Sequence, residues 1–230
     1  MRFLRSALDS LQKSRLRRMS GLENAEYLRG KGYRIGDHCS IPSGTGLPLP
    51  ELIEIGNNVR FANGVLLLPY DGSIAMLGRA TGERFDSVAP VRILDNVFVG
   101  SGSFILPGVT LGPNVVVGCN STVTKDFENM IIGGAPAKAI RSWDSHLEAC
   151  RERTASYPWN DLIQSRTGAF DPDLEPELMR RRVAYFFPTS PSRPGPDLDR
   201  SRPGSPGASH EARQDGSGVD RDLATCGSRS

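Results

Sequence analysis

From Ile93 onward a branched aliphatic residue returns at every sixth position: Ile93, Val99, Ile105, Leu111, Val117 and Val123. The position four further on reads Val97, Ser103, Val109, Val115 and Ser121, always small or β-branched. The residue directly after the aliphatic is often glycine, as at Gly100, Gly112 and Gly118. The same frame runs earlier through Ile55, Phe61 and Leu67, with Val59 and Val65 at the fourth offset, and more faintly through Ile35 and Ile41. A period of six is neither that of a helix nor the alternation of a half-buried strand. Hexapeptide periodicity is the signature of a parallel β-helix. Each hexapeptide then supplies one short strand and one corner, and three of them close an 18-residue coil. With coils stacked at strand-pairing distance, about 4.8 Å, Ile93 lies under Leu111, Val99 under Val117 and Ile105 under Val123. The expected core is this ladder of aliphatics, and small residues or glycine are expected to let the backbone turn.

The frame breaks once, between Leu67 and Ile93, where the spacing is 26 rather than a multiple of six. Residues 69–90 are expected to be a loop thrown out from one corner. A long loop on a rigid scaffold is a favoured place for function. Outside the repeat the pattern becomes helical. Phe3, Leu4, Ala7, Leu8 and Leu11 share one face of a basic N-terminal segment, and Ser20-Gly21-Leu22-Glu23 fits a capping box opening a second short helix. Ser142 is placed to cap a helix from about 143 to 154, which Pro158 ends. A last helix is expected over about 174–186, with Asp173 as its cap and Pro176 in its first turn. Its Leu178, Ala184, Tyr185 and Phe186 are expected to pack. Nearly half of residues 188–230 are Pro, Gly or Ser and none is aromatic. Such a tail cannot bury enough apolar surface to offset its ordering entropy. The organisation read from the chain is a helical segment (1–32), a mainly β domain (33–141), C-terminal helices (142–187) and a disordered tail (188–230).

Composition narrows the function. The 28 Lys and Arg nearly balance the 26 Asp and Glu, which argues against a dedicated nucleic-acid binder. No run of about 18 apolar residues is present to form a membrane-spanning helix. Cys39, Cys119, Cys150 and Cys226 are isolated, a spacing that fits neither a zinc site nor a disulfide framework and points to a reducing, cytoplasmic setting. Only three His occur, His38, His146 and His210, too few in the coils for a three-His zinc centre, so no metal is expected.

The stretch from Val97 to Gly112, continuing through Val117 to Asp126 and closing with Gly133-Gly134-Ala135-Pro136-Ala137-Lys138-Ala139-Ile140-Arg141, resembles the hexapeptide-repeat acyltransferases. Among these it is most similar to the O-acetyltransferases of maltose, galactosides and surface polysaccharides. The resemblance covers roughly residues 30–143. It implies a left-handed parallel β-helix, a homotrimer, and acetyl-CoA lying in grooves between subunits as acyl donor to a sugar or polysaccharide hydroxyl. By motif match, Ser101 and Cys119 would contact the CoA arm. Thr124, Lys125, Lys138 and Arg141 would surround its nucleotide end, where cations pair with phosphates. The 18-residue spacing of Ser101 and Cys119 independently puts them at one point on successive coils.

One position departs from the family. Its acetyltransferases place a His general base at the start of the loop, often in a T-H-D-G string, and here that string reads Pro69-Tyr70-Asp71-Gly72. A phenol titrates near 10 and an aspartate near 3.9, so neither is a ready base at neutral pH. Two readings stay open at this point: an O-acetyltransferase using Tyr70 or Asp71 in a modified mechanism, or a trimeric protein that binds acyl-CoA or sugar with impaired turnover.

Overall fold

In the computed structural model, which describes residues 19–168 and 170–188, the six-residue period becomes three parallel sheets wound into a prism. The first face holds β1 (Arg34–Ile35), β2 (Ile53–Ile55), β5 (Val91–Ile93) and β8 (Thr110–Leu111). The second holds β3 (Arg60–Phe61), β6 (Val97–Val99), β9 (Val115–Val117), β11 (Met130–Gly133) and β12 (Lys138–Ser142). The third holds β4 (Leu66–Leu67), β7 (Phe104–Ile105) and β10 (Thr122–Val123). The architecture is the expected left-handed parallel β-helix.

The registers are those the spacing dictates. Ile93 pairs with Leu111, Val99 with Val117 and Ile105 with Val123. These six side chains are fully buried, so each coil stacks its aliphatics on the coil below. The fourth-offset positions complete the interior: Val97, Val115, Ser103 and Ser121 are buried as well. Buried hydroxyls need partners, and both serines have them. Ser121 Oγ donates to the Gly118 carbonyl at 2.7 Å and accepts from Gly134 N at 3.1 Å. Ser103 Oγ donates to the same carbonyl at 3.0 Å and accepts from Ser121 N at 3.2 Å.

The corners correct the sequence reading. At the first-to-second corner the left-handed residue is His38 (φ 58°) on the first coil and asparagine on the coils above it, at Asn58 (φ 52°), Asn96 (59°), Asn114 (58°) and Asn129 (49°). Asparagine tolerates this region because its short polar side chain bonds locally. Here the amides bond to one another instead: Asn58 Nδ2 donates to Asn96 Oδ1 (2.9 Å), Asn96 to Asn114 (3.0 Å) and Asn114 to Asn129 (2.8 Å). Of the glycines that follow the aliphatics, only Gly112 has a positive φ. Gly100 serves close approach: a Cβ there would lie 2.6 Å from the Cys119 nitrogen.

Residues 69–90 are more ordered than a loop. They contain a helix, α2 (Ile74–Thr81), that ends on Gly82 in the left-handed region (φ 75°). Gly78 makes room for the returning arm, since a Cβ there would meet the Glu83 carbonyl at 3.0 Å. Before the prism, α1 (Gly21–Arg29) starts with the expected capping box, Ser20 Oγ accepting from Glu23 N and Glu23 reaching back to Ser20 N. After it, α3 (Trp143–Ser156) starts at Ser142, whose Oγ accepts from Ser145 N. The family-like ending folds back: β12 runs antiparallel to β11, which the six-residue frame does not foretell.

The described chain divides at residue 160 into two compact units. A short helix, α4 (Asn160–Gln164), which the sequence pattern did not show, spans the division. The second unit then carries α5 (Glu175–Phe186). The residue before α5 is Leu174, without a side-chain cap, so Asp173 does not play the expected role. Of the side chains expected to pack, Leu178 is buried, whereas Ala184 and Phe186 are exposed. The basic N-terminal segment and the Pro/Gly/Ser-rich tail lie outside the described residues.

Candidate active site

The third-to-first corner is where the repeat opens. On the regular coils it is crossed by a few residues, as from Ile105 to Thr110. Below them the chain leaves β4 at Leu68, whose N–H bonds to the Ile105 carbonyl at 2.8 Å, and returns to β5 after residue 90. The base of the excursion is a narrow antiparallel neck. Tyr70 bridges to Val88, Asp71 N donates to Ser87 O (3.0 Å) and Ala89 N to Pro69 O (2.9 Å). Tyr70 is 39% exposed and its hydroxyl makes no hydrogen bond among the described residues.

Asp71 is exposed and engaged. Its Oδ1 accepts from Ser73 N at 2.9 Å, just before α2. That bond from the Ser73 backbone, together with one from the Ser73 side chain, holds the carboxyl below its ordinary value. Hydrogen bonds to a carboxylate favour its charged form, which lowers its appetite for a proton. A neutral-pH base needs the opposite shift.

Ser101 and Cys119 occupy the second-to-third corner, one coil apart, and both are exposed. Asn120 N donates to Ser101 O at 2.8 Å, which fixes the stacking. The N–H groups of Ser101 and Cys119 themselves carry no hydrogen bond among the described residues. Two donors thus remain free along a strip parallel to the prism axis. Above them, Gly134 and Ala137 bracket Thr122: Thr122 N donates to Gly134 O and Ala137 N to Thr122 O, at 3.0 and 2.8 Å.

The cations divide between edges. Lys138 opens β12 opposite Gly133, beside the Ser101–Cys119 strip. Thr124 and Lys125 instead follow β10 at the third-to-first corner, the same prism edge from which Tyr70 leaves. Leu106 N bonds to Val123 O as Leu68 N bonds to Ile105 O, so Thr124 stands two coils above Leu68. The Lys125 ammonium lies 5.4 Å from the centre of the Phe127 ring. Arg141 sits towards the far end of β12, where its charge and that of Arg153 add to burial in lowering the titration of His146. One chain therefore gathers Ser101, Cys119 and Lys138 on one edge, and Tyr70, Asp71, Thr124 and Lys125 on another. The 18-residue frame located the Ser101 and Cys119 backbone strip, which the structure shows with its two N–H groups unpartnered among the described residues. The sequence reading missed Ser87 in the neck and the helix in the loop.

Among the described residues no group of His, Cys, Asp and Glu is arranged to hold a metal ion. His38, exposed at a corner, and His146 on α3 stand apart from the neck in sequence and on other elements.

The family model for bacterial transferase hexapeptide (six repeats) matches residues 90–125. The chain is 39% identical over 140 residues to Protein CapG of Staphylococcus aureus, an alignment covering 59% of this chain and 81% of that protein. It is 39% identical over 90 residues to the galactoside O-acetyltransferase of Escherichia coli K12, covering 39% of this chain but only 43% of that enzyme. A solved galactoside acetyltransferase in complex with coenzyme A superposes with a TM-score of 0.45 and 26% identity, over 58% of this chain and 78% of that one. Extended similarity to CapG, a family-model match on the most regular coils and the register of those coils converge: the chain belongs to the hexapeptide-repeat acyltransferases.

Proposed function

We propose that the protein is an O-acetyltransferase that moves an acetyl group from acetyl-CoA to a hydroxyl of a sugar or polysaccharide. The observation that carries the reading is the pair of unpartnered N–H groups at Ser101 and Cys119, stacked one coil apart beside Lys138. A strip of free donors suits the amide-rich arm of CoA, and Thr124, Lys125, Lys138 and Arg141 suit its phosphates. Those residues stand on two prism edges, so a groove between neighbouring subunits of a homotrimer unites them. The name of the galactoside O-acetyltransferase that resembles the chain supports a saccharide acceptor. Among the described residues no helix is long and apolar enough to cross a membrane, and the isolated cysteines fit a cytoplasmic setting.

In the transfer the acceptor oxygen attacks the thioester carbon, its proton leaves, the C–S bond breaks and CoA departs as the thiol. The neck of the loop supplies the reacting position. Asp71 is held ionised by the Ser73 bonds, so its part is to fix the neck and favour positive charge near the acceptor. The Tyr70 hydroxyl is free to donate to an oxygen that gains charge. Removal of the acceptor proton is then the slow element, because general-base help worth about 10²–10⁴-fold is weak here.

Acceptor-dependent thiol release from acetyl-CoA, measured with maltose and galactoside acceptors, tests the proposal. The expected result is slow release that falls about tenfold in Tyr70→Phe and rises about 10²-fold in Tyr70→His. No acceptor-dependent release from the wild type, with release restored by Tyr70→His, would instead establish the binding protein with impaired turnover.

A further inference from the structure

The first-to-second corner carries a hollow that neither the donor strip nor the loop neck uses. It measures about 210 Å³, and its lining includes Asn58, Asn96, Arg60, Phe98, Val116 and Trp143. All six belong to one compact unit. Arg60, Phe98 and Val116 are in register on β3, β6 and β9 and stack on the outer face of the second sheet. Trp143 is held at the top of this face by the bond from its backbone N–H to the Asn129 carbonyl (2.9 Å), the same corner residue that ends the asparagine ladder.

The chemistry of the lining is specific. Each ladder amide donates one N–H to the next asparagine, and an NH₂ group has two. A second donor therefore remains on Asn58 and on Asn96, in groups whose orientation the ladder already fixes. Arg60 is exposed and makes no ion pair or side-chain hydrogen bond among the described residues. Phe98 is 38% exposed although it sits mid-strand. Aromatic surface, oriented amides and a planar guanidinium in one hollow bind a ring that has an apolar face and a hydroxylated rim. The volume lies below the roughly 300 Å³ at which drug-sized pockets begin, which fits one small ring and excludes a nucleotide. No carboxylate lines the hollow, so a cationic ligand is disfavoured and an acidic one favoured.

We infer that this hollow is a saccharide subsite, holding one sugar ring of a chain at an edge of the prism other than the reacting one. It goes beyond the proposed transfer, and its binding is measured without it. A saccharide held here is anchored away from the hydroxyl that reacts, so the acceptor class it selects is an oligo- or polysaccharide with acidic sugars preferred over neutral ones.

The test titrates the full chain with tetragalacturonic acid and with maltotetraose, following the Trp143 indole N–H signal by NMR and the heat of binding by calorimetry. Expected is a saturable shift of the Trp143 signal with a Kd of about 1 mM or tighter for the acidic chain and weaker binding of the neutral one. Arg60→Ala and Phe98→Ala should each weaken the acidic ligand about tenfold or more. An unmoved Trp143 signal with both saccharides overturns the inference. So does undiminished binding by both variants, or a changed assembly size of Phe98→Ala on size-exclusion, which makes this face a contact between copies. Thiol release without saccharide binding at Trp143 would remove the subsite and leave the transferase reading standing. Binding without thiol release would do the reverse.

Discussion

Two corners of the same prism treat the chain in opposite ways. The first-to-second corner repeats one solution four times, an asparagine at a φ near 50–60° bonded through its amide to the asparagine on the next coil. The third-to-first corner is crossed tightly by the regular coils and then, once, opened into an excursion with its own neck and helix. Side chains in the first are tied to neighbours. In the second, Tyr70, Met76, Leu77, Phe85 and Val88 are all left exposed. Repetition marks where residues serve the stack, and interruption marks where they are released from it.

The contrast is broken most sharply by matched truncations. Leu111→Ala removes a fully buried rung and is expected to cost about 2–5 kcal/mol, the range for large-to-small changes in a core that relaxes only partly. Leu77→Ala, on a helix with no buried residue, should stay within about 0.5 kcal/mol. Urea unfolding of the two variants measures both, and equal losses would mean that the excursion is part of the stack. A smaller effect separates the two roles of the ladder. Asn96→Ala loses two amide bonds and puts a Cβ residue without local bonding at φ 59°, for an expected loss of about 1–3 kcal/mol. Asn96→Gly keeps the conformation and loses only the bonds, so its destabilisation should be the lesser of the two.

The smallest effect is on pH. The folded Asp71 carboxyl titrates below its unfolded value because Ser73 bonds favour the charged form. Its contribution is therefore fully present above the unfolded value, about 3.9, and is lost as pH falls through the lower folded one. Amide exchange should show residues 73–77 loosening under acid before Val117 does. Simultaneous loosening would mean that the neck and the coils open as one.

How much of this was legible follows from which interactions have a fixed spacing. The core rungs, their registers and the stacking of Ser101 on Cys119 come from one number, the 18-residue coil, and were readable from Ile93 to Val123. Of the asparagine ladder only the step from Asn96 to Asn114 has that spacing, the other two being 38 and 15 residues, and the glycines nearby drew attention because glycine is the usual left-handed residue. The helix in the excursion was hidden because its apolar residues face no partner, so no core-facing stripe announces it. The antiparallel return of β12 obeys hydrogen-bond geometry at the end of a sheet, and no periodicity encodes an end. The division of the candidate site between two edges is likewise invisible in a motif, which orders residues along the chain and not around a prism.

That return strand has a consequence for how long the molecule is. A stack of parallel coils is open at both ends, and each end offers unpaired backbone groups to any other chain with the same spacing, the geometry from which fibres grow. At one end β12 runs against β11 in the wrong direction for a further coil, and its outward residues Lys138 and Arg141 are charged. At the other, α1 lies across the first coil, with Ile41 N donating to Gly21 O (2.9 Å) and Asn24 Nδ2 to Ile41 O (2.9 Å). The two ends act as stops, and a protein built on a repeat that could continue indefinitely is kept to a finite length.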